Sequence, residues 1–139
     1  VPLEVRLVTP EREVWVGEAQ MLIARGVDGE VGILAGHAPL LVRLAIGPLR
    51  IVRDGGEALV AVVDGGFLHV GTHAGVTRAD VLAAHSELQV EIDVEAARRR
   101  ATELEDRLRQ NRDTHLAEAE ILAAKAELQK ALARVNVAG

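Results

Sequence analysis

The feature that most constrains this chain is a break in its composition near Glu87. Every proline, and every glycine except Gly139, lies before that point amid dense Val, Ile and Leu. After it comes a stretch rich in Ala, Glu, Arg and Leu with no Gly or Pro until the last residue. Gly and Pro punctuate short strands and turns, and their absence leaves room for long helices. The sequence therefore predicts an α+β chain in two parts. Residues 1-87 form an N-terminal antiparallel β-sandwich, and residues 88-139 form a C-terminal antiparallel two-helix hairpin.

In the first part Leu3, Val5 and Leu7 alternate with Glu4 and Arg6, the period of a half-buried strand. Thr9-Pro10-Glu11-Arg12 reads as a turn before Val14-Trp15-Val16. Further strands are predicted at 19–24, 40–45, 49–53, 58–63, 66–70 and 75–79. The turns between them fall at Gly47-Pro48, Asp54-Gly55-Gly56, Asp64-Gly65 and Gly71-Thr72-His73. Many short strands at regular turn spacing indicate a sandwich or barrel.

In the second part Asp93 is placed to cap a helix, with Glu95 in the first turn where the helix dipole favours an acid. Val94, Ala97, Ala101, Leu104 and Leu108 form one apolar stripe. Ile121, Ala124, Leu128, Ala131 and Val135 form another, and the break between them offers Asn111 as a C-terminal stop and Asp113 or Thr114 as a new cap. These stripes are thin and rich in Ala. Burial energy scales with apolar area, so such a hairpin docks only moderately and is a candidate mobile element.

One stretch of the first part stands out: Asp28-Gly29-Glu30-Val31-Gly32-Ile33-Leu34-Ala35-Gly36-His37-Ala38-Pro39-Leu40-Leu41. Its glycines predict a shaped, rigid loop displaying Glu30 and His37 from a mostly apolar surface. The plain alternative is an ordinary turn between strands.

The composition excludes several kinds of chemistry. With no Cys there is no disulfide, thiolate metal site or thiol nucleophile. One Trp, one Phe and no Tyr leave no stacking platform for single-stranded nucleic acid, and a net charge of -5 disfavours a general phosphate-backbone binder. No nucleic acid partner is expected. No run is long and apolar enough to span a bilayer and no signal peptide is recognisable, so direct membrane insertion is not expected. The lone Ser86 lacks a nucleophile context and no phosphate-binding Gly-Lys loop occurs, so no catalytic residue and no enzyme activity are expected. His69 and His73 invite a metal-dependent barrel reading, but no acid stands at a matching spacing, and no metal or required cofactor is expected. Arg98, Arg99, Arg100, Arg107, Arg109 and Arg112 line the first helix among interspersed acids. They form either a solvated face or a surface for an acidic partner.

The whole chain, taken in order, resembles the epsilon subunit of the bacterial F-type ATP synthase. The resemblance rests on the opening Val5-Arg6-Leu7-Val8-Thr9-Pro10, the glycine-shaped stretch, Asp64-Gly65-Gly66-Phe67-Leu68-His69-Val70 and the helical hairpin. It implies a sandwich of about ten strands. It also implies a non-catalytic subunit of the central stalk, peripheral on the cytoplasmic face of the plasma membrane. The partners it implies are the gamma subunit, the rotor-ring subunits of the membrane sector and, when the hairpin extends, the catalytic head. Glu30, Gly32 and His37 match the positions that meet the ring and stalk. Arg98, Arg99, Arg107, Arg109 and Arg112 become candidate inhibitory contacts that oppose ATP hydrolysis.

Some members of that family bind a regulatory ATP on the folded hairpin through an Ile-Asp-x-x-Arg-Ala motif. Here Ile92-Asp93-Val94-Glu95-Ala96-Ala97 keeps Ile92, Asp93 and Ala97 but has Ala96 where the motif has Arg. Glu87, Lys130 and Arg134 match the remaining positions. Arg98 or Arg99 is a candidate replacement for the missing Arg, although helix geometry aims both differently. A free-standing nucleotide sensor is the competing class of function.

Overall fold

The computed structural model describes residues 2–110 and 117–139. Its strands are β1 (Leu3–Val8), β2 (Glu13–Ala19), β3 (Met21–Gly26), β4 (Gly29–Leu34), β5 (Leu40–Val52), β6 (Ala58–His73), β7 (Val76–Leu82) and β8 (Ser86–Leu88). Two helices follow, α1 (Val94–Arg109) and α2 (Glu118–Ala138). The strands are joined in the order β2-β1-β7-β6-β5-β3-β4, with β8 also on β6.

The expected sandwich and helical pair are both present; the turn expected at Gly71-Thr72-His73 falls at Ala74-Gly75 instead, past the end of β6, and three larger details also differ from the sequence reading. First, Gly47-Pro48 and Asp64-Gly65 are not turns. They lie inside β5 and β6, which pair antiparallel in one register from Leu40↔Val70 to Val52↔Ala58. The expected segments on either side of them are therefore continuous, and eight strands do the work of about ten. Gly65 and Gly66, at φ 79° and 117°, bend β6 sharply. A side chain at Gly66 would collide with the Leu82 carbonyl oxygen. Second, β1 and β7 pair in parallel, from Glu4↔Arg78 to Val8↔Leu82. They are distant in sequence, so no tight hairpin dictates their relative direction. Third, the stretch 28–41 is mostly strand. Gly29–Leu34 is β4, paired residue for residue with β3 from Gly26↔Gly29 to Met21↔Leu34. The shaped loop shrinks to the turn at 35–39.

Because β5 and β6 bend, each contributes to both layers of the sandwich. One layer holds β2, β1, β7, the late part of β6 and the early part of β5. The other holds β4, β3, the late part of β5, the early part of β6, and β8. Between them lies a core of Leu3, Val5, Leu7, Leu68, Val70 and Val81 from one side and Leu22, Ile33, Leu49, Ile51 and Val63 from the other. No residue of either helix takes part in it.

The chain leaves β8 through a single 3-10 turn, Gln89–Glu91, and enters α1 at the cap that the sequence foretold. Asp93 Oδ1 accepts from the Ala96 backbone N–H at 3.0 Å. Ala97, Ala101 and Leu104 of α1 are buried, as are Ala124 and Ala131 of α2, where the two helices pack together. The expected stop at Asn111 and the expected caps at Asp113 and Thr114 lie outside the described residues. Helix α2 carries a second apolar stripe that the sequence reading did not pick out. Ala133 and Val137 pack on Val62, flanked by Ile46, Val60 and Ile92.

Candidate functional site

The residues singled out in the sequence fall in three places. Glu30 and Gly32 alternate with buried Ile33 along β4, so both sit on its outward face and are exposed. That strand ends the sheet order and is an edge. His37 comes after the strand, in a turn that is well anchored. Its backbone N–H donates to Leu34 O at 3.1 Å, and the Gly36 N–H donates to Thr77 Oγ1 at 2.7 Å. Thr77 is itself buried on β7. It is therefore the residue that fixes the turn to the far layer, and nothing in its sequence context marks it for that role.

The second place is the outward surface of α1. Arg98 pairs with Glu95 at 2.8 Å and Arg109 with Asp106 at 2.8 Å, each three residues apart on the exposed helix. Such pairs stabilise a helix by only about 0.3–0.5 kcal/mol. Arg99 and Arg107 are exposed, and Arg112 lies outside the described residues. Arg98 and Arg109 are thus engaged within their own helix.

The third place is a cleft of about 460 Å³ between the helices and the sandwich. Glu87, Asp93, Ala97, Lys130 and Arg134 all line it, so the structure brings together residues that lie far apart in the sequence. Ile92 does not line it, and packs instead under α2. Asp64, His85, Arg100 and Glu127 complete much of the wall. Neither Arg98 nor Arg99 does so. The cation of α1 that does face the cleft is Arg100, one helical turn beyond Ala96, since residues four apart share a face. That spacing is legible in the sequence.

Several of the charges in the cleft are already paired. Arg134 donates through Nη1 and Nη2 to both carboxylate oxygens of Asp64, at 2.8 and 2.9 Å. Its Nε donates to Glu87 Oε1 at 2.6 Å, and Nη1 also reaches the Lys130 carbonyl at 3.0 Å. Burial pushes this guanidinium down, but the hydrogen bonds to Asp64 and Glu87 outweigh it and hold its pKa above the ordinary value. Lys130 pairs with Glu127 at 3.0 Å. Below the cleft, Arg12 forms a two-toothed pair with Glu91, both contacts at 2.9 Å, tying the β1–β2 turn to the linker. Hydrogen bonds from Arg12 and from the Leu88 N–H keep the Glu91 carboxyl below its usual range.

One more surface emerges only from the strand register. Leu41, Phe67 and Leu82 stand on the outward face of β5, β6 and β7, where Phe67 is opposite both Arg43 and Leu82. All three are exposed. Among the described residues no three potential metal ligands cluster.

Residues 2–84 match the family model described as the ATP synthase, Delta/Epsilon chain, beta-sandwich domain. The chain belongs to this family. A relative named ATP synthase epsilon chain from Bacillus pumilus is 35% identical over 137 residues, spanning 99% of this chain and 97% of the relative. Another of that name, from Frankia casuarinae, is 51% identical over 77 residues, or 55% of this chain and 89% of the relative. The fold is shared with a chain of the Euglena gracilis mitochondrial ATP synthase, solved with its OSCP, F1 and c-ring. The TM-score is 0.78 at 22% identity, covering 95% of this chain and 78% of that one. It is also shared with a chain from the central stalk and c-ring of the Tetrahymena thermophila enzyme, with a TM-score of 0.60 at 18% identity, covering 99% and 96%. As an epsilon-family chain, the protein is a non-catalytic subunit of the ATP synthase. No helix among its described residues is long and apolar enough to cross a membrane.

Proposed function

We propose that this chain is a central-stalk subunit that links a gamma subunit to the membrane rotor ring, and whose hairpin restrains ATP hydrolysis when it extends into the catalytic head. It works as a peripheral subunit on the cytoplasmic face of the plasma membrane, in a complex that couples proton flow to ATP synthesis. The observation that carries the reading is the independence of the two parts. The sandwich core closes without a helical residue, while the hairpin rests on it through Ala133 and Val137 and a few polar bonds. Such a hairpin can leave without unfolding what it leaves behind. The exposed Leu41, Phe67 and Leu82 suit a stalk partner's apolar surface, and the exposed edge bearing Glu30 and Gly32, with His37 in its anchored turn, suits polar ring loops.

The test uses ATP synthase heads depleted of their own epsilon chain. The full chain and a chain ending at Leu88 are expected to bind equally, and only the full chain is expected to slow hydrolysis. Equal inhibition by both would remove the hairpin from the mechanism. Failure of both to bind would remove the stalk assignment.

A second reading is favoured by one specific observation, the convergence of Glu87, Asp93, Ala97, Lys130 and Arg134 on one cleft with Arg100 beside them. The cleft volume lies in the range of small-ligand sites. In this reading the hairpin takes up a regulatory ATP, with Arg100 and Lys130 toward its phosphates. Titration calorimetry with ATP, with and without magnesium, is expected to show binding that Arg100→Gln weakens. Absence of heat up to millimolar ATP would discard the reading.

A further inference from the structure

The cleft holds a device that needs nothing but the chain itself. Arg134 has five N–H groups, and four of them are satisfied by Asp64, Glu87 and the Lys130 carbonyl. The two acids come from neighbouring strands, Asp64 beside the bend of β6 and Glu87 on β8, opposite Val62. The Asp64 side chain is only 4% exposed and that of Arg134 16%. Asp64 is fixed in turn, since its backbone N–H donates to His85 O at 3.0 Å. A planar guanidinium gripped on two edges by two anchored carboxylates is a directional contact that a lysine could not reproduce.

Among the described residues, little else holds the hairpin down. The apolar seat is Val62, Ala133 and Val137 with partly buried neighbours, and Gln89 Nε2 adds one bond to Val137 O at 2.8 Å. Helix α1 packs mainly on α2, and it is α2 that makes the larger contact with the sandwich. The grip on Arg134 is therefore a large share of the docking, and it lies on the helix that makes the main contact with the sheet.

We propose that Arg134, Asp64 and Glu87 form a ligand-independent latch that keeps the hairpin folded down, so that its release is controlled by rupture of this triad. The proposal rests on the reading that the hairpin moves. It goes further in stating what holds it, and in stating that nucleotide is not required. Any anion that enters the cleft must share Arg134 with two carboxylates already bound to it.

The chain has no Cys, which makes site-specific labelling direct. A donor and an acceptor dye are placed through Glu57→Cys on the sandwich and Glu105→Cys on α1, both exposed, in the full chain without nucleotide. The parent is expected to show the short distance alone. Asp64→Asn and Arg134→Gln are each expected to raise the extended population about 10- to 100-fold, the effect of breaking one side of a largely buried ion pair. Arg134→Lys should fall between. Ala133→Asp, which spoils the apolar seat, serves as the control for movement. If Ala133→Asp separates the dyes while Asp64→Asn and Arg134→Gln stay compact, the hairpin moves and the latch is wrong. If none of the three separates them, the movement fails and the latch with it. A parent that is extended until ATP is added also overturns the latch. Circular dichroism of each variant checks that the sheet is intact. If Arg134→Gln does not fold, Asp64→Asn decides, because Asn keeps the shape of Asp.

Discussion

The sandwich and the hairpin are built from the same chain by opposite means. The sandwich buries Leu, Ile and Val side chains completely, from strands that meet across the whole sequence. The hairpin buries mainly Ala, on helices dense with charge, and meets the sandwich along one narrow contact. A buried Leu contributes about 1.5–3 kcal/mol relative to exposure and an Ala far less. The difference teaches that stability and adjustability have been assigned to separate parts. One region cannot shift without unfolding, and the movement proposed for the other would cost little apolar area.

This contrast can be broken most forcefully at Gly66. A Cβ there would strike the Leu82 carbonyl oxygen, and the backbone sits at φ 117°. Gly66→Ala is expected to cost about 3 kcal/mol or more, read as a lowered urea midpoint for the sheet signal. Next come matched leucines. Leu68→Ala, in the core, should destabilise global unfolding by about 2–5 kcal/mol. Leu104→Ala, buried between the helices, should leave the sheet transition nearly unmoved while hydrogen exchange in α1 and α2 accelerates. If both leucines lower the sheet transition equally, the two regions are not independent. Asp93→Ala removes the α1 cap and should cost about 1 kcal/mol of helix stability, visible as faster exchange in the first turn of α1.

The smallest expected effect is acid sensitivity at the linker. The Glu91 carboxyl is held below its ordinary range in the folded chain. Its contribution is complete above the unfolded value, near about 4.3 for Glu, and is lost as pH falls through the lower folded value. The parent should therefore lose a small increment of stability below about pH 4 that Glu91→Gln does not lose.

The strands of the sandwich were legible where alternation was clean, as at Leu3, Val5 and Leu7, and the helix start was legible in Asp93. Gly47-Pro48 and Asp64-Gly65 misled because local turn chemistry is identical for a turn and for a bend within a strand. Only the unbroken pairing of β5 with β6 separates the two. The parallel contact of β1 with β7 depends on partners far apart in the chain, which no local pattern encodes. At the cleft, Glu87, Asp93, Lys130 and Arg134 were found through the family motif. Asp64 was legible as part of a turn and of the family's Gly-Gly-Phe-Leu element, but its contact with Arg134 appears only once the bend of β6 sets it beneath that residue. Arg100 required nothing beyond counting four residues along a helix from Ala96.

The passage of β5 and β6 through both layers has a mechanical meaning. In a sandwich held only by side chains, a sideways force on one layer is carried to the other by packing, which slips. Here two adjacent strands pass from layer to layer as unbroken backbone, hydrogen-bonded to each other along their length. Shear applied to one layer is carried into the other through covalent bonds. In the proposed stalk role, a part that turns with a shaft would transmit torque best with no internal plane on which to slide, and these two strands cross the plane that would otherwise slide.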